Sequence, residues 1–367
     1  MGVQDEFKED NFMRVTRRTN TARVLAHVLA PQLNAILGRS SGTPQVEAID
    51  GQGWSNFTLK VSFKNEPRDF ILRLSEKAPT AEARLCRSVL HLEKEYAILS
   101  QLQGFSFVPK LLSGGIGSIV LDIPGKGLKE YGFMMEEMIP YKSASECRTL
   151  NDRLPYILEQ LGEVCREIHK ISVPGYGIDF NAAQGSFSHS TFEGFVRSKI
   201  DTIRHSPISF AMMRWLEARA EELIKIDPEP KLFHRDLLGN TGNYLVDNEH
   251  NVRSIIDWEF AGSGAAFQYE VASMVYVLAR DGHSAERIER DLHAVLRGYG
   301  MSLAEYRNNY ERDVETVVLM NSISAMIKFA ELKKRDAVAQ EPWRKVFAER
   351  AESVCARSFA RDRVGVG

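Results

Sequence analysis

A chain of 367 residues, 44% hydrophobic and 26% charged with a formal net charge of -2, is long enough to bury a sizeable core and to divide into two lobes. The near-neutral balance gives no sign of a nucleic-acid or acidic-membrane partner, no apolar run reaches the length of a membrane span, and no obligatory protein partner is evident. Cys86, Cys147, Cys165 and Cys355 lie scattered without metal-ligand spacing or close pairing, which fits reduced thiols in a cytoplasmic protein. The opening MGVQDEFKEDNFMR has no apolar segment of a secretory signal, and Met1-Gly2 is not followed by the hydroxyl residue of a myristoylation motif.

In chain order, Ala22, Val24, Leu25, Val28, Leu29, Leu33, Ile36 and Leu37 recur at helical spacing and predict a helical extension within residues 1–40 that packs on the lobe that follows. From Gln45 the rhythm becomes that of strands: Phe57, Leu59, Val61 and Phe63 alternate, and Asp69 to Leu74 returns the chain. The turn before them, Gly51-Gln52-Gly53-Trp54-Ser55-Asn56, is either a plain hairpin or one whose backbone N–H groups cover phosphates. Arg73 alternates with Leu72 and Leu74 and so leaves the opposite face of its strand. Val89, Leu92, Tyr96, Leu99 and Leu102 then form a helical stripe with Glu93 and Glu95 off its centre. Val108 to Leu112 and Phe133 to Met138 read as strands, the second ending at Ile139-Pro140-Tyr141. An amphipathic helix runs from Leu154 to Ile168, where His169 reads as a capping or packing histidine, and Ser190-Thr191-Phe192-Glu193 has the form of a capping box. Further helices are expected over 269–279, 284–299, 303–329 and 342–359.

The chemistry concentrates between Lys231 and Gly262. His234-Arg235-Asp236 follows the apolar Leu232-Phe233, a loop holds Gly239, Asn240, Thr241, Gly242 and Asn243, and Tyr244–Val246 and Val252–Ile256 pair as a hairpin with Asp257 directly after it. This places Asp236, a loop asparagine and Asp257 at the ends of buried strands, where oxygen-bearing side chains are costly unless a cation or proton donor meets them. Phosphoryl transfer from a nucleotide fits: one Asp accepts the proton of the attacking hydroxyl, while an Asn and a second Asp hold Mg²⁺. Either piece alone would read as a turn or a helix cap; their order around a hairpin favours the site.

HRDLLGNTGNYLVD followed by SIIDWEFAG resembles the aminoglycoside phosphotransferase and choline kinase-like enzymes, relatives of protein kinases. Their usual pattern is His-Gly-Asp-Leu-His-x-Gly-Asn, a strand ending in Asp, then Ile-Asp-Trp-Glu. The resemblance implies an α+β, bilobal protein-kinase-like fold, with a small antiparallel-sheet N-lobe over 41–138 and a mainly helical C-lobe over 139–367. It further implies Asp236 as catalytic base, Asn243 and Asp257 as Mg²⁺ ligands, and ATP, with GTP as the alternative, as phosphoryl donor to a small hydroxylated acceptor. Two positions depart from the pattern. Thr241 stands where the metal Asn is usual, so Asn243 is assigned by its distance to Asp247 and Asn240 stays the alternative; Arg235 replaces Gly, as in the His-Arg-Asp of protein kinases, where the Arg has an ordering role. The resemblance also gives Arg73 the phosphate contact of the strand cation, since its fork suits phosphate oxygens, and gives Glu95, within Glu-Tyr-x-x-Leu, the ion pair to it. Gly51, Gly53, Ser55 and Asn56 become the phosphate-covering turn, the backbone from Glu136 to Met138 the adenine contact, and the helical region the acceptor wall, where Glu259, Glu270 and Asp281 offer charge to a cationic acceptor. A catalytically silent nucleotide-binding scaffold is the alternative function; a protein kinase would need Asp-Phe-Gly and Ala-Pro-Glu, and neither is present.

Overall fold

The computed structural model describes residues 19–37, 44–49, 56–64, 66–77, 89–147, 150–181, 184–204 and 210–335. The chain divides into two compact units, Met1–Tyr141 with Ser254–Glu259, and Lys142–Arg253 with Phe260–Gly367. A short stretch of the chemistry-bearing segment therefore belongs with the N-terminal part of the chain, which a division into consecutive segments does not provide for.

The first unit is built on a five-stranded antiparallel sheet in the order β1 (Gln45–Ala48), β2 (Phe57–Ser62), β3 (Phe70–Glu76), β5 (Gly127–Glu137), β4 (Leu111–Ile123). Helix α1, residues 19–29, and the short α2 (Leu33–Ile36) contribute Ala22, Leu25, Leu29 and Leu33 to one core with Leu59, Val61, Leu72 and Leu74. Each fully buried leucine is worth about 1.5–3 kcal/mol, so the N-terminal helix is a structural part of this unit. Leu72 and Leu74 point into that core, and alternation sends Arg73 to the other face, where α3 (Val89–Leu102) packs. The β4–β5 hairpin is longer than the sequence suggests, its strands pairing as far as Ile123↔Gly127. Gly114, Gly115 and Gly117 blur the pattern there, although Ile119, Leu121 and Ile123 keep the period of two and are buried. Gly115 sits at an irregularity in the register, and a Cβ on it would come within 2.7 Å of the Leu112 carbonyl oxygen and 2.9 Å of that of Met135.

The second unit is mainly helical: α4 (Leu150–Ile168), α5 (Phe192–Arg204), α6 (Phe210–Ile224), α7 (Ala266–Arg280), α8 (Ala285–Tyr299), α9 (Leu303–Asn309) and α10 (Glu311–Arg335). Local chemistry sets the starts of three of them. Thr191 Oγ1 accepts from Gly194 N at 3.0 Å, Ser284 caps α8 through Arg287 N, and Ser302 caps α9 through Glu305 N. α4 and α8 meet backbone to backbone, since a Cβ on Gly162 would overlap the Val295 carbonyl and one on Gly298 that of Glu159. His169, just past α4, is buried, and its Nδ1 lies 3.1 Å from Tyr299 Oη on α8, which makes it a packing histidine. A four-stranded sheet in the order β8 (Ser186–His189), β7 (Tyr176–Asn181), β12 (Gly262–Gly264), β9 (Lys231–Phe233) underlies the loop at Asp236. A second small sheet joins β6 (Lys142–Ser143), β10 (Tyr244–Val246) and β11 (Val252–Ile255), and β11 leads the chain out of this unit. The helix expected over 342–359 lies outside the described residues. Among the described residues no helix is long and apolar enough to cross a membrane.

Candidate active site

In the first unit one guanidinium is enclosed by carboxylates. Arg73 Nη1 lies 3.0 Å from Glu95 Oε1 and 3.3 Å from Asp257 Oδ1, and Nε lies 3.4 Å from Glu136 Oε1. Arg73, Glu95 and Glu136 are all buried, while the Asp257 side chain remains 32% exposed. Glu95 also accepts the Trp258 N–H at 3.0 Å, so one helix carboxylate fixes both the strand cation and the backbone beside Asp257. Close by, Asn56 Nδ2 donates to Glu259 Oε2 at 3.4 Å. Burial alone would weaken the hold of Arg73 on its proton, but Glu95, Glu136, Asp257 and Glu259 outweigh it and raise its pKa. The acids carry the opposite strain: dehydration pushes Glu95 up to about 8 despite Arg73, with the neighbouring carboxylates adding to the rise, and Glu136 is likewise raised by burial first. The cluster is thus overfilled with negative charge. Breaking such a buried pair costs about 3–5 kcal/mol.

Of the other residues expected at a nucleotide, Gly51, Gly53 and Ser55 lie outside the described residues. The N–H of Met138 donates to Asp69 O at 2.9 Å and that of Glu137 to Lys110 O at 2.7 Å, so these two donors are taken by neighbouring chain segments. The side chain of Glu136, which the sequence reading treats only through its backbone, is part of the Arg73 cluster.

In the second unit the loop after β9 is held from below. Glu270, on α7 and 1% exposed, accepts the N–H of His234 at 2.7 Å and of Arg235 at 2.9 Å through Oε2. Burial raises its pKa, against the pull of His234 and of these backbone donors. Arg235 stands at φ 73°, the left-handed region, and so does Asp257 at φ 66°. Asp236 Oδ2 accepts two amide hydrogens, from Asn240 Nδ2 at 3.0 Å and Asn243 Nδ2 at 2.9 Å, and Asn243 also donates to the Asp236 carbonyl at 2.8 Å. Among the described residues no cation forms an ion pair with Asp236, so its carboxylate is oriented without being neutralised. The two asparagines differ at their oxygens. That of Asn240 accepts the Gly242 N–H at 3.0 Å, closing a local turn, whereas Asn243 Oδ1 has no hydrogen-bond partner among the described residues. Beyond them the Thr241 carbonyl accepts from Ser145 N and Ser143 Oγ, which ties the irregular part of the loop to β6 and its continuation.

The expectation that Glu259 and Glu270 face a cationic acceptor is corrected. Glu270 is spent on the backbone of residues 234 and 235, and Glu259 is buried against Asn56, whereas Asp281 is partly exposed and paired with the adjacent Arg280 at 2.9 Å. The anchoring role of Glu270 escapes sequence reading, although a signal exists: a glutamate inside Ala266–Met274, every residue of which is buried, needs a partner.

Comparison with known proteins bears on this arrangement. The model of a family described as "Phosphotransferase enzyme family" matches residues 47–310. No curated protein sequence matches the chain. Among solved structures, the wild-type aminoglycoside 2'-phosphotransferase-IIIa in its GDP complex is similar with a TM-score of 0.56 at 16% identity, over 90% of this chain and 97% of that one. An ethanolamine kinase from Plasmodium vivax gives 0.52 at 14% identity, over 85% and 81%. An amicoumacin kinase in complex with AMP-PNP, Ca²⁺ and Ami gives 0.51 at 14% identity, over 84% and 88%. At these identities the likeness establishes the α+β fold of kinase-like phosphotransferases.

Proposed function

Because the chain belongs to the phosphotransferase enzyme family, we propose that it transfers the γ-phosphoryl group of ATP, or of GTP, to a hydroxyl of a small molecule in the cytoplasm, with Asp236 as the base. The observation that carries this reading is the state of Asp236, whose carboxylate is gripped by two amide donors and, among the described residues, by no ion pair. Such a group is aimed but keeps the charge with which to take a proton. In the step, the acceptor O–H gives its proton to Asp236, its oxygen bonds to the γ-phosphorus, and the bond from that phosphorus to the β-bridging oxygen breaks, releasing the nucleoside diphosphate.

Mg²⁺ is implied by this chemistry, and the donors fit it. Asn243, with its nitrogen committed to Asp236, presents an oxygen, and Asp257 presents a partly exposed carboxylate; hard oxygen donors in small number, completed by phosphates, are what this ion takes. Asn240 fits less well because its oxygen is already engaged. Bound there, the ion would neutralise charge on the phosphates. Arg73 then has two tasks: Nη1 braces Asp257, and Nη2, which donates no hydrogen bond among the described residues, is left for a phosphate oxygen. Gly51, Gly53, Ser55 and Asn56 are assigned to the phosphates, and the segment from Glu136 to Met138 to the adenine.

The test is nucleotide-dependent phosphorylation by the purified protein across a panel of hydroxylated small molecules, read as a phosphorylated product together with nucleoside diphosphate. Product with at least one acceptor supports the enzyme. Tight nucleotide binding with no product over the whole panel would favour the silent scaffold instead.

A further inference from the structure

Several unspent hydrogen-bond donors gather beside Asp236. β7 and β9 both run antiparallel to β12, with Gly177 and Leu232 each opposite Ser263. Asp179 on β7 is therefore level with His234, one residue short of Arg235, at the same end of the sheet. Lys199 on α5 reaches this end through an aromatic layer. Its Nζ lies 5.7 Å from the centre of the Phe195 ring, that ring is 5.4 Å from Tyr269, and Tyr269 stacks at 5.2 Å on Phe233, the residue before His234. Among the described residues, neither the Arg235 guanidinium nor the Lys199 ammonium forms an ion pair. The Tyr269 hydroxyl, on a residue only 3% exposed, has no hydrogen-bond partner among the described residues.

The balance of charge there is unusual for two partly buried cations. Of the nearby acids, Asp179 is exposed to solvent, and Asp236 has one oxygen filled by two asparagines. Dehydration, with the charge of Arg235 second, brings Lys199 down to about 8, and burial also lowers Arg235 against the pull of Asp236, Tyr269 and Asp179. All three groups can offer N–H or O–H hydrogens, which suits a ligand group made only of acceptor oxygens. The backbone adds to this: Arg235 holds a left-handed φ at the position where the resembling pattern has glycine, a strain that a side chain with a task would justify.

We propose that Arg235, Lys199 and the Tyr269 hydroxyl form a subsite for an oxyanion group, carboxylate or phosphate, on the acceptor, so that the preferred substrate is an anionic alcohol. This rests on the phosphotransferase reading above and narrows its substrate class. It also follows the loss of the acidic wall, since Glu259 and Glu270 have other partners.

Two assays test it with the full chain. In the first, initial rates are compared for matched acceptors: a hydroxy acid, its neutral amide and the corresponding amino alcohol, and a sugar phosphate beside its parent sugar. At least a tenfold preference in kcat/KM for the anionic member is expected, falling about tenfold in Lys199→Gln and retained in Lys199→Arg, as one charge-assisted contact warrants. The hydroxy-acid and sugar-phosphate arms tell carboxylate from phosphate. Preference for the neutral or amino member overturns the proposal, and so does a Lys199→Gln variant whose defect lies in the KM for nucleotide. In the second assay, inorganic phosphate and the hydroxy acid are titrated into protein loaded with AMP-PNP, which needs no turnover. Binding that weakens about tenfold in Lys199→Gln supports the subsite even if no acceptor is phosphorylated, in which case only the phosphotransferase reading fails. Absence of oxyanion binding here sinks the subsite whatever the turnover.

Discussion

Two functional candidates, Arg235 and Asp257, occupy backbone conformations that a side chain makes costly, by about 1–2 kcal/mol each. At 235 this explains why the related pattern carries glycine, and it leads to a prediction that separates fold from function. Arg235→Gly should unfold in urea within about 1 kcal/mol of the parent, because relief of the left-handed strain roughly offsets the chain entropy that glycine adds; a loss of several kcal/mol would mean that the guanidinium holds the fold together. Asp257→Ala should weaken Mg²⁺-nucleotide binding, checked by titration calorimetry with and without the ion, since it removes a proposed ligand and uncovers Arg73. Unchanged binding in the presence of Mg²⁺ would remove Asp257 from the metal site. Residue placements were legible from the sequence where they follow spacing or the family pattern: Arg73 pairs with Glu95, and Asp236 and Asp257 stand shortly after β9 and β11. They were not legible where a contact spans distant segments: the Glu136 side chain on Arg73, and Glu270 under His234 and Arg235, depend on how elements pack.

At the scale of elements, α7 acts as the bed of the loop at Asp236. Its Val277 lies against Gly239, where a Cβ would come within 2.8 Å, and its Glu270 satisfies two backbone donors. Glu270→Ala takes the acceptor from a buried and a part-buried donor, at about 1–3 kcal/mol for the buried one, so it should lower the melting temperature and cut kcat more than it changes the KM for nucleotide. A purely structural role would lower stability alone, which steady-state kinetics below the melting range distinguishes. Between α4 and α8, His169 is buried and held near a pKa of about 3 by desolvation. Its folded pKa is depressed, so its contribution to stability is present above the ordinary value of about 6.5 and is lost as pH falls toward 3. Over that window the second unit should lose about 1.4 kcal/mol per pH unit to this one group, and His169→Asn should flatten the dependence in chemical denaturation followed against pH. Most helices could be read from apolar spacing, and the start of α5 from the Ser190–Glu193 pattern, although the hydroxyl that caps it is Thr191, one residue later than that box places it. The β4–β5 hairpin could not, because its glycines hide an alternation that only pairing reveals.

At the scale of the whole molecule, the residues proposed for the chemistry divide between the units: Arg73, Glu95, Glu136 and Asp257 belong to the first, Arg235, Asp236, Asn240 and Asn243 to the second. The small sheet of one and the helices of the other follow from the change of apolar period along the chain, and membership of the phosphotransferase family from the segment around Asp236 and Asp257. The return of Ser254–Glu259 to the first unit could not be foreseen, since no local pattern marks a short segment as belonging with a distant part of the chain. The most direct measurement is phosphoryl transfer by Asp236→Asn, made with any acceptor the parent protein phosphorylates and accompanied by the nucleotide dissociation constant. Transfer should fall by about 10²–10⁴-fold, the range for removing a general base, with nucleotide affinity nearly unchanged; turnover at the parental rate would contradict the role of Asp236 as the group that takes the proton.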